Sequence, residues 1–376
     1  MTVGVPSEVV PGERRVALVP EVVGRLAKKQ VDVVVERSAG EAAYYSDEEY
    51  RAQGAGIGTR AEALAADVVV KVHPPDNAEI GAMREGAVFI GFLNPLDRPE
   101  IAGSLAERGV TAISMELVPR ISRAQKMDAL SAMSSVAGYR AVLLAAGILP
   151  RFFPLLTTAA GTVKPANVLV LGAGVAGLQA IATARRLGGR VSAYDVRDVV
   201  REEIQSLGAV FVELDLETQT MQDAGGYAKA LSEDRQQRQI QLLAPHVARS
   251  DVVITTALVP GRPAPVLIDE EAVVGMSGGS VIVDLAAQNG GNCMLTRPGE
   301  TVTMHDVTIA GPLNLPAEMP VHASQMYART LMAMILEFAS AEGFKVDFED
   351  EIFRGACITH GGEVVNERVK SLLVSP

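Results

Sequence analysis

Apolar residues fall along this chain in short continuous runs rather than in strict alternation. In the first 116 residues the runs are Val3–Val5, Val31–Val35, Asp67–Val72, Val88–Phe92 and Val110–Met115. Such runs mark strands buried on both faces, as in a parallel sheet covered by helices. Glu21–Lys29, Arg60–Ala66 and Pro99–Arg108 read as helices between them, so a largely parallel sheet with helical crossovers is expected. A second series of strands is expected near Val168, Val191, Val210, Val252, Val281 and Val307. Two longer helical segments, about Met127 to Ala146 and Ala323 to Ala341, would carry the chain into this second series and back. The predicted fold class is α/β: two doubly wound domains joined by long helices, residues 1–127 with 322–376 and residues 128–321. Two crossings imply a hinge with a ligand cleft between the domains.

The second series opens on the chemically most informative stretch. Val168–Leu171 is followed by Gly172, Ala173, Gly174, Val175 and Gly177 in the order GxGxxG, then by a small-residue helix to Leu187. A further apolar strand, Val191–Tyr194, ends on Asp195, 23 residues after Gly172. Gly172 suits the tight turn, Gly174 lets backbone approach a pyrophosphate, and Gly177 allows close packing of helix on sheet. The helix N-terminus offers N–H donors to the phosphates. This is the spacing of a Rossmann-like dinucleotide half, and the first domain shares the rhythm without the glycine turn. Asp195 points to NAD, because a carboxylate accepts from the ribose hydroxyls and repels a 2′-phosphate. Arg197, two residues on, is the residue type that serves NADP; Asp195 comes first, at the strand end, so the reading is NAD.

Composition narrows the class. The 376 residues are 48% hydrophobic, enough for two domains with substantial cores. The net charge of −11 argues against nucleic acid or an anionic membrane surface as a partner. Two cysteines, Cys293 and Cys357, without a CxxC pair suggest neither a disulfide framework nor a zinc knuckle, and no metal is expected. The N-terminus has no apolar signal core. The longest greasy run, Ala141–Leu149, is shorter than the roughly 20 residues a bilayer requires, so no membrane span is expected. Glu217–Gln241 is long, polar and centred on Gly225, Gly226 and Tyr227, the composition of a functional lid.

Five stretches carry a resemblance: RISRAQKMDALS (120–131), TTAAGTVKPANVLVLGAGVAGLQAIATARRLG (157–188), GGYAK (225–229), ITTALVPGRPAP (254–265) and GGNC (290–293). Together they resemble the NAD(H)-binding component of the proton-translocating nicotinamide nucleotide transhydrogenases, from Pro6 to the C-terminus. The resemblance implies a dimeric two-domain subunit that binds NAD(H) between its domains. It would pass a hydride to NADP⁺ on a separate component, while a membrane-spanning component couples transfer to proton movement. It points to the separate-subunit arrangement, with this chain peripheral on the cytoplasmic side of the inner membrane. By position, Arg120, Ile121, Ser122, Gln125, Asp128 and Ser131 match the loop beside the nicotinamide and its ribose. Ala173 to Val175 match the pyrophosphate turn, and Asp195, Val196 and Arg197 the adenosine ribose end. Gly226 and Tyr227 match the mobile flap with Gln239 behind it, and Leu258 falls in the adenine-side region. Of these, Arg120, Gln125, Asp128, Ser131 and Tyr227 are the residues expected to serve hydride transfer.

The residues of the first loop support that role on their own: two opposite charges flanking a carboxamide can hold a nicotinamide carboxamide and ribose hydroxyls. The bland alternative is a polar helix start, with Asp128 near a helix N-terminus. Alanine dehydrogenase is the rival family. Arg15 and Lys71 match its substrate cations, but a small oxoacid also requires a proton donor. Where that family has a catalytic histidine, this chain has Leu93 and Asn94; where it has an aspartate, this chain has Gln288. A third reading, a non-catalytic NAD-sensing module, leaves the 120–131 loop and the flap without a purpose.

Overall fold

In the computed structural model, which describes residues 1–215, 233–259, 261–340 and 342–374, the chain divides into two compact units. One is Met1–Met133 with Pro316–Pro376, the other Ser134–Leu315.

The first unit holds an eight-stranded sheet. Six strands are parallel, in the spatial order Thr111–Ser114, Val88–Gly91, Val68–Val70, Thr2–Val5, Asp32–Glu36, Gly56–Gly58. Numbered along the chain this is 6-5-4-1-2-3, the order of a doubly wound sheet. Val68, Val69 and Val70 are all buried, as an unbroken apolar run on a two-sided sheet requires. From the C-terminal segment, Cys357–His360 joins antiparallel to Thr111–Ser114, and Glu363–Val364 closes the edge. Neither strand stands out in the sequence, because each is short and depends on the neighbour it pairs with.

The second unit repeats the order. Val210–Phe211, Arg190–Tyr194, Asn167–Leu171, Val252–Thr255, Val281–Asp284 and Val307–Ala310 run parallel, and Thr301–Met304 folds back antiparallel at the edge. The apolar runs divide between the sheet's faces. Val168, Val170, Val252, Ile254, Val281 and Val283 pack on one side with Ala141, Val142, Ala145, Ala180 and Ala184. Leu169, Leu171, Val253 and Ile282 pack on the other with Leu243, Val247, Ala272 and Val273. The chain reverses direction of winding between Asn167–Leu171 and Val252–Thr255, the crevice where such sheets bind ligands.

The helix Ala129–Ile148 is long and apolar enough to cross a membrane by length and composition, which the shorter run Ala141–Leu149 did not suggest. Ala141, Val142 and Ala145 nevertheless pack into the sheet core. Gly138 lets this helix approach Val175–Arg186 closely: a Cβ there would lie 2.1 Å from the Ala176 carbonyl oxygen.

The turn after Leu171 is the tightest point of the unit. Gly172 has φ +96°, a conformation side chains rarely adopt. A Cβ on Gly177 would sit 1.9 Å from the Gly172 carbonyl oxygen, so the helix start lies directly on the turn. Gly177→Ala should therefore lower the unfolding free energy by about 3 kcal/mol, the upper range for forced overpacking. Urea unfolding measures it; a loss below about 1 kcal/mol would mean the turn yields without cost.

Candidate dinucleotide site

The site is assembled from the ends of parallel strands. Asn167–Leu171 delivers the glycine turn, and Val175–Arg186 starts with no side chain capping its N-terminus. A Cβ added to Gly174 would meet nothing within 4 Å, so this is the one glycine of the motif with open space above it. Uncapped N–H groups beside that space suit an anionic pyrophosphate.

Asp195 ends the next strand and is buried. Its Oδ2 accepts from the Ala173 amide at 2.7 Å, which ties the acid to the glycine turn. Arg197 binds the same carboxylate through Nε and Nη2, each at 2.9 Å, and its amide donates to Oδ1. The hydrogen bonds from Arg197 to Asp195 raise the arginine's pKa further and keep it charged. Val196 is half-buried between them. Gln239 is buried and donates from Nε2 to the Tyr194 hydroxyl at 3.0 Å; burial pushes that phenol up to about 12. Leu258, on the loop after Val252–Thr255, is 43% exposed. Gly226 and Tyr227, with most of the expected lid, lie outside the described residues.

In the first unit, the 120–131 segment forms a short 3₁₀ turn, Ser122–Met127, and then the start of the long helix. Asp128 accepts from the Ser131 amide at 2.8 Å and the Ser131 hydroxyl at 2.6 Å, so it caps that helix. The polar helix-start arrangement weighed above is thus realised, and it brings Asp128 and Ser131 together. Arg120, Ser122 and Gln125 are exposed and Ile121 is half-buried. Arg123 and Lys126 fix the turn by pairing with Glu337 and, for Arg123, Asp350.

The residues that match a dehydrogenase's substrate cations are already paired. Lys71 is fully buried, with Nζ 2.7 and 2.8 Å from the two Glu79 oxygens and 3.9 Å from Glu8. Arg15 grips Glu13 through two nitrogens at 2.8 and 2.7 Å. Burial pushes the Glu13 carboxyl up, but the hydrogen bonds from Arg15 and His73 outweigh it and hold the pKa well below the usual range. Burial raises the Glu8 pKa despite nearby Lys71. Leu93 is buried, and the Leu93 and Asn94 amides donate to Glu116. Gln288 is exposed. Of the histidines, His73 pairs with Glu13, His305 with Glu270 and His360 with Thr111; burial lowers the pKa of His246, and His322 is exposed. Among the described residues no group of three or more His, Cys, Asp or Glu could hold a metal ion.

Sequence reasoning passed over Asp284 and Asn292. Asp284 ends the strand Val281–Asp284 and collects five donors: the Thr255 and Thr296 hydroxyls and the Ala286, Asn292 and Cys293 amides. Their only signal is the GGNC stretch. Gly290 and Gly291 both have positive φ, and a Gly291 Cβ would come within 2.8 Å of Asp284 Oδ2.

A glycine turn under a helix N-terminus, at the switch point of a doubly wound sheet and tied to an acid on the next strand, defines a nucleotide-binding α/β protein. The chain belongs to the alanine dehydrogenase/PNT family: residues 4–137 match its N-terminal domain and residues 141–367 its C-terminal domain. It is 46% identical to the first part of NAD(P) transhydrogenase subunit alpha of Rhodospirillum rubrum, over 97% of this chain and 98% of that protein. A solved transhydrogenase structure from Sinorhizobium meliloti superimposes with a TM-score of 0.86 at 41% identity, covering 98% of this chain and 99% of that one. Alanine dehydrogenase of Mycobacterium tuberculosis is 30% identical over 100% of this chain and 98% of that protein.

Replacing Lys71 with Met leaves Glu8 buried without its cation and Glu79 with Arg60 as its remaining one, and should cost about 3 kcal/mol in urea unfolding. The double variant Lys71→Met, Glu8→Gln should recover part of that loss, since the buried carboxylate left without its cation becomes a neutral amide. A single variant as stable as the parent would show that Lys71 has no such structural role.

Proposed function

We propose that this chain is the NAD(H)-binding subunit of a proton-translocating NAD(P)⁺ transhydrogenase. It passes a hydride between NADH on itself and NADP⁺ held by a partner subunit. It acts as a homodimer, peripheral on the cytoplasmic side of the inner membrane through a membrane-spanning subunit. The observation that carries the reading is the Asp195 carboxylate bound to the Ala173 amide beside the open face of Gly174.

Bound NADH supplies the hydride; the chain's residues bind, orient and keep water away. Amides at Gly174 and Val175 meet the pyrophosphate, with Gly172 and Gly177 shaping the turn. Asp195 lies at the adenosine ribose end beside Val196 and Arg197, and would accept from a ribose hydroxyl in exchange for one of its bonds from Arg197. Because both Asp195 oxygens engage Arg197, a 2′-phosphate would face a neutralised pair rather than a lone cation, which supports NAD over NADP. Leu258 covers the adenine side, and Gln239 steadies the strand end through Tyr194. By the family resemblance, Arg120, Ile121, Ser122 and Gln125 would serve the nicotinamide end, Asp128 and Ser131 hold the start of their helix, and Gly226 and Tyr227, outside the described residues, would belong to the flap.

Ring-to-ring hydride transfer asks for positioning in a dry site and no proton shuttle. The residues present fit that demand: Leu93 and the carboxamide of Gln288 do not titrate, and Arg15 and Lys71 are engaged by carboxylates of the chain itself. The same features weigh against an oxoacid reductase.

Gly174→Ala should fold as the parent does, with an unchanged melting temperature, yet bind NADH at least tenfold more weakly because the methyl fills the pyrophosphate space. Asp195→Ala should also weaken NADH binding, by about tenfold for the loss of a charged hydrogen-bonding group. Calorimetric titration reads both, and unaltered affinity in either would remove the site. For the activity, the purified chain is mixed with an NADP(H)-binding component, and hydride exchange between the two cofactor pools is followed. Exchange is expected, and no turnover with pyruvate plus ammonia. The reverse outcome would make the protein an amino-acid dehydrogenase.

A further inference from the structure

Asn292 is fully buried and spends its whole carboxamide on two stretches of backbone remote from it in sequence. Its Oδ1 accepts from the Ala257 amide at 3.0 Å. Its Nδ2 donates to the Ala257 carbonyl at 2.9 Å and to the Pro265 carbonyl at 2.7 Å. One side chain thereby brackets Ala257 through both peptide groups and fastens it to Pro265. Asn292 is itself anchored: its amide donates to Asp284 Oδ2 at 2.8 Å, and its carbonyl accepts from Leu267 and Ile268 at 2.8 and 3.0 Å. Asp284 is in turn set by the Thr255 and Thr296 hydroxyls.

The other side of Ala257 is the glycine turn. Thr256 donates through Oγ1 to the Gly172 carbonyl at 3.1 Å, and its amide donates to Leu171 at 2.8 Å. A Cβ on Gly172 would fall 2.6 Å from Thr256 Oγ1 and 3.1 Å from the Ala257 nitrogen. The next residue is Leu258, whose side chain is 43% exposed. A line of hydrogen bonds therefore runs from Asp284 through Asn292 to Ala257, and through the peptide bond to Thr256 on to the turn, across the carboxyl ends of three neighbouring strands.

We propose that Asn292 is a positioning residue for the adenosine half of the dinucleotide: it sets Ala257, and through it Leu258 and the glycine turn, at the height that the cofactor requires. This rests on the NAD(H) reading above. Asparagine is the side chain the geometry calls for. An aspartate would keep the acceptor for the Ala257 amide but turn both donations into carboxylate against carbonyl, beside a second buried acid. An alanine would leave three backbone groups of Ala257 and Pro265 without a partner.

The test uses the full chain as parent, Asn292→Asp, Asn292→Ala and Val307→Ala. The last opens a cavity in the same sheet's core, at the start of a strand and outside the line of hydrogen bonds. Affinities for NADH and for ADP-ribose are measured by calorimetry, and melting temperatures without ligand. Both Asn292 variants should lose about tenfold in affinity for NADH and the same factor for ADP-ribose, and in hydride exchange the loss should lie in KM for NADH. Val307→Ala should lower the melting temperature while keeping both affinities within twofold, the result a purely structural role for Asn292 would also give. Asn292 variants that bind both ligands like the parent overturn the proposal, as does a loss confined to NADH with ADP-ribose unchanged. If Asn292→Ala does not fold, the near-isosteric Asn292→Asp decides alone. A parent chain that binds neither ligand instead overturns the NAD(H) reading and this proposal with it.

Discussion

A carbonyl oxygen, that of Gly172, stands where a side chain at residue 177 would begin. Everything chemical in the second unit depends on that close approach. It sets the helix Val175–Arg186 directly on the end of its strand, so that the helix's unpaired amides open at the crevice rather than over the sheet. It also brings the Ala173 amide within reach of Asp195. A site that must hold a flexible dinucleotide in one pose gains from such rigidity, because binding then spends less on ordering the protein.

The polar groups around the crevice follow one rule: each is oriented by another buried group. Asp195 is set by Ala173 and Arg197, Tyr194 by Gln239, Asn292 by Asp284. In a poorly solvated interior a satisfied network is rigid, and a half-satisfied one is costly. The first unit applies the rule to full charges. Lys71 and Arg15 are matched by Glu79 and Glu13 at hydrogen-bond distance, and such pairs hold a shape while adding little net stability. Charges so matched have little left to offer a small anionic metabolite, which accords with chemistry that asks only for orientation.

Much of the architecture was legible because the strands are buried on both faces. Val68–Val70 or Val252–Thr255 must read as apolar runs wherever they lie in the sheet, and Gly172 and Gly177 stand where the turn's backbone leaves no place for a side chain. The edges were not legible. Thr301–Met304, Cys357–His360 and Glu363–Val364 are half-polar and short, and they are strands only because a neighbour offers them hydrogen bonds. Asp284 and Asn292 were hidden for a related reason, since an acid and an amide eight residues apart carry no period or spacing rule.

By itself, then, the amino-acid sequence determined the class of fold, the dinucleotide turn and the family the chain resembles, because each rests on local stereochemistry or a contiguous motif. Only the tertiary structure decided what each charge and amide is paired with. It showed Asp128 to be a helix cap bound by Ser131, Lys71 and Arg15 to be spoken for, and Asn292 to be the staple between Ala257 and Pro265. Pairing is a property of distance in space, and these partners come from different strands and loops that meet only when the sheets have formed.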